Sequence, residues 1–223
     1  MAVTFSGAWS PPVERPSAMP RNERRLRARA WAWPTGRLPA RPRCAPPGAA
    51  DGTFGPGTKA AVIRFQRAYG LSADGVVGAA THRALNALQD SDGSTKHFAF
   101  SEFYSKDGSR FSGGKVNSGT VKENVRRLMY KLEAVRKKAG DRAITVNSGF
   151  RSISHNSRVG GASNSQYMYG IAADIVVSGR SVSQAISYAK TSGFSGIIRY
   201  NTFTHVDSRA EYSYGSRGYH WAV

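Results

Sequence analysis

The stretch SQYMYGIAAD, residues 165–174, decides the fold of the second half of the chain, together with ITVNSGFRS at residues 144–152 and THVD at residues 204–207. These stretches contribute one arginine, two carboxylates and one histidine: Arg151, Asp174, Asp207 and His205. Taken one at a time, such residues have ordinary structural roles, because a lone arginine is usually a solvated charge and a strand histidine is usually a core residue with satisfied hydrogen bonds. Their combination and order along the chain therefore carry the information.

Around these stretches, residues 91–223 are predicted to form one α+β domain. The run TVKE at residues 120–123 has the sequence of a capping box and leads into a helical stripe of apolar side chains that ends at Gly140. A second helical stripe covers residues 182–189 and stops at Gly193.

Three strands are predicted beside these helices, at residues 144–146, around residues 197–198 and at residues 203–207. Successive side chains of a strand point to opposite faces of a sheet. In the last strand this alternation places three side chains on one face: Phe203, His205 and Asp207. We expect the strands to form a small antiparallel sheet.

A smaller helical unit is predicted at residues 51–90, where a turn-plus-helix pattern occurs twice. DGTFGPGT at residues 51–58 precedes one amphipathic helix, and DGVVGAAT at residues 74–81 precedes another. Each Asp-Gly makes a turn, and Thr58 and Thr81 are predicted to cap the two helices. This pattern resembles the second and third helices of the small three-helix peptidoglycan-binding domain, which implies a partial domain here.

Residues 1–50 differ in composition from the rest of the chain. Nine of the ten prolines lie there, and every basic residue of the segment is an arginine. Because the segment lacks apolar periodicity, it is predicted to be a disordered Arg/Pro-rich tail. It stands where the first helix of the peptidoglycan-binding domain belongs, so we expect it to arise from a shifted reading frame or a misplaced start.

Two helices without a third would leave part of their apolar face without a partner. The side chains expected to be uncovered are those of Val62, Ile63 and Phe65. The alternative is that Trp31 and Trp33 of the tail cover this face.

The charge of the chain is strongly unbalanced. It carries 32 Lys and Arg residues against 14 Asp and Glu residues, a formal net charge of +18, which suits an anionic partner such as a bacterial wall. No nucleic-acid-binding motif accompanies this charge, so we expect no nucleic-acid partner. The single cysteine, Cys44, excludes an internal disulfide and a cysteine-based metal site. We expect a monomer without a membrane span, and the first thirty residues lack the apolar core of a signal peptide.

From about Asp51 to the C-terminus, the stretches quoted above make the chain similar to the zinc D-Ala-D-Ala carboxypeptidases of actinobacteria. The central motif of that family is S-x-H-x-x-G-x-A-x-D, and a later histidine completes the zinc ligands. The resemblance implies that Asp174 and His205 are zinc ligands and that Arg151 binds the terminal carboxylate of the substrate or stabilises an oxyanion. It also implies a substrate-binding surface formed by Arg151, Ser165, Tyr169 and Phe203.

The chain departs from the family motif at its histidine, because Tyr167 stands there, seven residues before Asp174. A phenol with a pKa of about 10 must lose its proton to bind zinc well, so zinc is expected to be weakly bound or absent. Ile171 stands where some members have another histidine, and Thr202 stands where some have an acidic general base. In a branch that ends in F-x-H-V-D, Asp207 is a candidate general acid/base or orienting carboxylate; a purely structural role at the strand end is equally open.

His155 is close in sequence to Arg151 and is the remaining histidine considered as a replacement ligand, although its place in the family indicates a surface loop. Two functions therefore stay open. One is a peptidoglycan-directed zinc metallopeptidase, a carboxypeptidase or endopeptidase acting on wall stem peptides and impaired by Tyr167. The other is a catalytically inactive peptidoglycan-binding pseudoenzyme. Both imply an extracellular or cell-wall location by resemblance.

Overall fold

The computed structural model describes residues 54–214, 218 and 220–222. Residues 1–50 lie outside the described residues. The predictions that this segment arises from a shifted reading frame or a misplaced start, or that Trp31 and Trp33 cover the apolar face of the helical unit, therefore stay predictions. No helix in the described part of the chain is both long and apolar enough to cross a membrane.

The described residues form five α-helices, three short 3-10 helices and five strands. The α-helices are α1 Pro56–Ala68, α2 Ala79–Asn86, α3 Ser118–Lys138, α4 Ile153–Arg158 and α5 Val182–Lys190. The strands are β1 Ile144–Ser148, β2 Ala172–Val177, β3 Gly196–Arg199, β4 Thr204–Asp207 and β5 His220–Ala222. The 3-10 helices are Phe100–Phe103, Gln166–Tyr169 and Arg209–Glu211.

The strands form one sheet in the order β1-β2-β4-β3-β5. The pairs β1/β2, β2/β4 and β4/β3 are antiparallel, as predicted, whereas β5 joins β3 in parallel. The sheet is therefore mixed rather than purely antiparallel, and the predicted α+β class is confirmed. Two strands were not predicted: β2, whose almost fully buried run AADIVV shows no alternation, and β5, whose three residues are too short a run to show it.

The core of the larger unit lies between the sheet and α3. The apolar side of α3 is fully buried, with Val121, Val125 and Leu132 each at 0% exposure, and it packs against β2 residues such as Ile175. Lys131 interrupts this apolar side, but its ammonium group donates to the carbonyl of Gly193 and the hydroxyl of Ser208 and pairs with Glu211. It thereby ties the segment after β4 to α3.

The helix starts differ from the predicted ones. α1 and α2 begin after Gly55 and Gly78 without a capping side chain, so the predicted caps Thr58 and Thr81 are wrong. α3 begins two residues before the predicted capping box, because the side chain of Asn117 accepts a hydrogen bond of 2.8 Å from the backbone N–H of Thr120. An amide oxygen at this position satisfies a free N–H group as well as a threonine would.

The side chain of Thr81 has another partner, since its hydroxyl accepts a hydrogen bond of 3.2 Å from the amide of the buried Gln66. The same amide donates to Asp74, and its oxygen accepts from the backbone N–H of Gly75, which has φ +75°. Gln66 thus holds the second Asp-Gly turn against α1.

The apolar face of α1 and α2 has a partner in α3. Phe65, at 1% exposure, packs with Leu85 and Leu88 against Tyr130 and Ala134 of that helix. Val62 is also buried, at 4% exposure. The expectation that Phe65 lacks a partner is therefore wrong, because the long helix of the larger unit supplies the missing surface; Ile63 stays half-buried.

Candidate functional site

The register of the sheet brings the two sequence-predicted zinc ligands together. Asp174 of β2 lies directly opposite His205 of β4, and Ser148 of β1 lies on the other side of Asp174. Directly opposed residues of antiparallel strands have Cβ atoms about 4.5–5.5 Å apart. Asp174 Oδ1 is accordingly 3.2 Å from His205 Nδ1, and the residues are only 6% and 5% exposed.

Tyr167 reaches this pair from the 3-10 helix Gln166–Tyr169, which precedes β2. Gly170 connects the two elements with φ +72°, and a Cβ there would come within 3.0 Å of Val121 on α3. Glycine is therefore the residue that allows this tight turn. The turn points the phenol ring of Tyr167 back over the ends of β2 and β4.

The hydroxyl of Tyr167 lies between the two predicted ligands. It donates a short hydrogen bond to Asp174 Oδ1, and its oxygen is 2.6 Å from His205 Nδ1. The phenol and imidazole rings meet edge to face, with centroids 5.2 Å apart. Tyr167, Asp174 and His205, which we call the central triad, thus form a closed hydrogen-bonded group.

The second ring nitrogen of His205 is held by Asp207. The Nε2–Oδ2 distance is 3.1 Å, and Asp207, which has no exposed surface, also accepts hydrogen bonds from the guanidinium of Arg209 at 2.6–2.9 Å. The carboxylate lies over Gly196 of β3, where a Cβ would come within 2.0 Å of Asp207 Oδ2. Asp207 is therefore placed to orient the imidazole and is shielded from a ligand in the cleft.

Arg151 closes the triad on its outer side. Its guanidinium carbon lies 3.8 Å from the centre of the Tyr167 ring, its Nε donates to Ser148 Oγ at 3.0 Å, and one terminal nitrogen is 3.4 Å from Asp174 Oδ2. The side chain keeps 18% of its surface exposed. It can therefore offer donors to an anionic ligand while its stacked position on the phenol is kept.

Burial and hydrogen bonding shift the pKa values of Tyr167, His205 and Asp207. Burial, and then the carboxylate of Asp174, raises the pKa of Tyr167 above that of an exposed phenol. Burial alone would lower the pKa of His205, but the hydrogen bonds to Asp174 and Asp207 outweigh it and raise the pKa. Burial alone would raise the pKa of Asp207, but the hydrogen bonds from His205 and Arg209 outweigh it and lower the pKa to about 2. These shifts favour the protonated forms of the phenol and the imidazole and the ionised form of Asp207.

The remaining predicted site residues, Phe203, Ser165 and Tyr169, lie outside the triad. Phe203 immediately precedes β4 and stacks on Tyr200, with ring centroids 4.3 Å apart. Tyr200 is 44% exposed and close enough to Tyr167 to influence its pKa. Ser165 starts the turn that carries Tyr167, and the hydroxyl of Tyr169 donates to Asn164 while its ring stacks on Tyr214. Ser165 and Tyr169 therefore shape the loop beside the triad.

His155, the histidine considered as a replacement ligand, is not part of the triad, and neither are Ile171 and Thr202. His155 lies on α4, and its backbone N–H donates to the hydroxyl of Ser152 at 2.9 Å. Ile171 is fully buried, and Thr202 is exposed in the turn between β3 and β4. Within the described residues, no group of three or more His, Cys, Asp and Glu side chains is arranged to hold a metal ion.

Comparison with known proteins identifies the family to which these site residues belong. Residues 96–207 match the family model described as Peptidase M15. The match covers half of the chain and includes the central triad, Arg151 and Asp207. The chain belongs to the peptidase M15 family. Residues 42–85 of this M15 chain match a peptidoglycan binding domain, so the match begins upstream of the duplicated turn motif.

The M15 chain is also 47% identical over 163 residues to the zinc D-Ala-D-Ala carboxypeptidase of Streptomyces albus G. The aligned region covers 71% of this chain and 64% of that relative, so the chain spans less than two thirds of the relative's length. The sequence-based recognition of the family is confirmed.

The residues of the triad can be tested for their fit to a zinc ion. Two ligands of one tetrahedral zinc, each bonded at about 2.0–2.1 Å, lie roughly 3.3–3.4 Å apart, and the Asp174–His205 separation of 3.2 Å suits such a pair. The third side chain does not fit, because the oxygen of Tyr167 stands within hydrogen-bond distance of both ligand atoms. As arranged, the triad has no room for the ion between its polar atoms.

Two members of the site were missed by the sequence reasoning. Arg209 binds Asp207 from two residues further along the chain, and Ser148 holds Arg151 from three residues before it. Arg209 lies beyond the quoted motifs, and Ser148 lies within ITVNSGFRS without having been assigned a role there. Their roles follow from the turn after β4 and from the irregular register between Val146 and Ser148 in β1.

Proposed function

We propose that this chain binds peptidoglycan stem peptides through the cleft at Arg151 and that zinc-dependent peptidase activity is impaired in it. The observation that carries the proposal is the position of the Tyr167 hydroxyl between Asp174 and His205. A zinc peptidase needs three good ligands and an open fourth position. Here only two good ligands are present, and a neutral phenol blocks the space beside them.

Binding of the stem peptide does not require the metal. The exposed edge of Arg151 can receive a terminal carboxylate in bidentate fashion, and the stacked pair Tyr200 and Phe203 can form an apolar wall along the cleft. The peptidoglycan-binding match and the net charge of +18 support a wall partner outside the cell. Ser165 and Tyr169 would act by shaping the loop beside the ligand.

An active zinc D-Ala-D-Ala carboxypeptidase is the second candidate. It is favoured by the 3.2 Å spacing of Asp174 and His205, which suits two ligands of one zinc ion. In this case the phenol would move away when the metal enters.

The two candidate functions predict different rates of hydrolysis but the same binding of the stem peptide. We expect wild-type protein to bind a D-Ala-D-Ala-terminated stem peptide, and Arg151→Ala to weaken that affinity roughly 10–100-fold by loss of charge-assisted hydrogen bonds. Arg158→Ala, an exposed arginine on α4, is the matched control for charge. Calorimetric titration measures the peptide affinity of the wild type and of both variants.

Hydrolysis is measured as D-Ala release with added zinc. We expect little release by the wild type and more by Tyr167→His, which restores the family histidine. If wild-type protein cleaves as fast as Tyr167→His, the impairment is refuted; if neither protein binds the peptide or purified peptidoglycan, the wall-directed function is refuted.

A further inference from the structure

We propose that the hydroxyl of Tyr167 takes the place of the metal ion in this chain and holds Asp174 and His205 in their ligand positions without metal. The inference rests on the proposed function only for the identity of the ion that is replaced. It makes the tyrosine a positioning residue of a metal-free site, whereas a merely damaged site would have no group that bridges Asp174 and His205.

The first support is geometric. Asp174 Oδ1 and His205 Nδ1 are 3.2 Å apart, which suits two zinc ligands, although within the described residues no third His, Cys, Asp or Glu is arranged with them to hold a metal ion. A tyrosine hydroxyl reaches further from the backbone than an imidazole nitrogen by about one zinc–nitrogen bond, roughly 2 Å. A tyrosine at the histidine position therefore places its oxygen close to where the ion would be.

The second support is hydrogen-bond complementarity. Asp174 is an acceptor, and the phenol donates to it. His205 Nε2 lies 3.1 Å from Asp207, and His205 Nδ1 lies 2.6 Å from the phenol oxygen, so a protonated Nδ1 would donate to a lone pair of that oxygen. One hydroxyl thus contacts both groups, in the place where a cation would bind their lone pairs.

The third support is the packing of Tyr167 itself. Arg151 lies on one face of the ring, and the His205 ring meets its edge, so the phenol is fixed in the cleft by contacts to both sides. The backbone carbonyl of Tyr167 also accepts from the N–H of Arg151 at 3.2 Å. The hydroxyl is therefore held at the triad by the same residues that surround it.

The test measures stability and metal content, so it is independent of activity. We compare full-length wild type, Tyr167→Phe, Tyr167→His and the control Tyr214→Phe, whose lost hydroxyl accepts a hydrogen bond from Asn124 outside the triad. Thermal unfolding is followed in chelator and in zinc, and bound zinc is counted by elemental analysis. Wild-type protein should hold no stoichiometric zinc, and its Tm should be the same in both buffers.

Tyr167→Phe should lower Tm by roughly 4–10 °C more than Tyr214→Phe, because two buried polar groups lose the hydroxyl that bridges them. Tyr167→His should be destabilised in chelator and regain its Tm in zinc, with about one zinc bound per chain. Stoichiometric zinc in the wild type, a fall of its Tm in chelator, or a Tyr167→Phe protein as stable as Tyr214→Phe would each overturn the proposal. If Tyr167→Phe does not fold, the zinc content and chelator response of the wild type still decide it.

Discussion

At the scale of single residues, the site depends on how closely Asp207 is packed. Its carboxylate fills the space that a side chain on Gly196 would need, so the two positions restrain each other across β3 and β4. The carboxylate in turn fixes the His205 ring and is fixed by Arg209. The orientation of the imidazole therefore depends on a glycine that makes no polar contact with it.

We expect Gly196→Ala to lower the free energy of unfolding by about 1–3 kcal/mol or more, because the added methyl overlaps Asp207 and displaces it from His205. Gly119→Ala in the first turn of α3 is the control, since its Cβ meets its neighbours at ordinary contact distance and alanine favours the helix. Denaturant unfolding compares the two. Equal free energies of unfolding for the two variants would show that Asp207 can move away from the added methyl group without destabilising the fold.

At the scale of elements, α4 depends on a carboxylate outside it. The hydroxyl of Ser152 caps α4 by accepting from the backbone N–H of His155, and it donates to Asp107 in the loop after the first 3-10 helix. Hydrogen bonds from Ser109 and from Ser152 lower the pKa of Asp107. This pair of contacts sets the start of α4 immediately after Arg151.

A pKa that is lower in the folded chain than in the unfolded one stabilises the fold above the unfolded value, near 3.9, and this stabilisation is lost as the pH falls below it. We therefore expect Asp107→Asn to be less stable than wild type at pH 7 and the difference to shrink between about pH 4 and pH 2. Urea unfolding across this range measures it, with Lys106→Gln, an exposed neighbour, as the control. A difference that does not change with pH contradicts the prediction.

The sequence predicted the elements that have a strong periodic pattern and missed those defined by contacts. α1, α3 and α5 carry clear apolar stripes, and their existence was predicted; α4 and β5 are too short for a period to appear. Cap positions were wrong at Thr58, Thr81 and Thr120 because several polar residues compete at a helix start and tertiary contacts choose between them.

The site shows the same division. The proximity of Asp174 and His205 was expected from the order of the family motif, whereas the strand that carries Asp174 and its pairing with β4 were not predicted. The position of the Tyr167 oxygen depends on side-chain length, on the Gly170 turn and on the stacking of Arg151, which no motif encodes. The functional roles of these residues stay predictions until the variants above are measured.

At the scale of the whole molecule, α3 belongs to two cores. One side packs on the sheet, and Tyr130 and Ala134 on another side cover the apolar face of α1 and α2. The wall-binding unit predicted from sequence at residues 51–90 is therefore joined to the peptidase-like unit by shared packing. We infer that the two units unfold together.

We expect Tyr130→Ala to destabilise this joint by about 3–5 kcal/mol, the scale of a buried aromatic truncation, and to release α1 and α2 first. Leu132→Ala on the same helix faces the larger core and is the matched control. Hydrogen exchange should show faster exchange of residues 56–86 in Tyr130→Ala, and loss of protection throughout the larger unit in Leu132→Ala. The same exchange pattern in both variants would mean that the joint has no separate stability.

The position of the Tyr167 hydroxyl also has a genetic consequence. Tyrosine and histidine codons differ only in their first base, so a single transition exchanges the phenol of Tyr167 for an imidazole. Because the opposition of Asp174 and His205 is fixed by strand register, such a mutation leaves the other two positions unchanged. We therefore expect one base change at this codon to be enough to interconvert the metal-free and the zinc-binding form of the site.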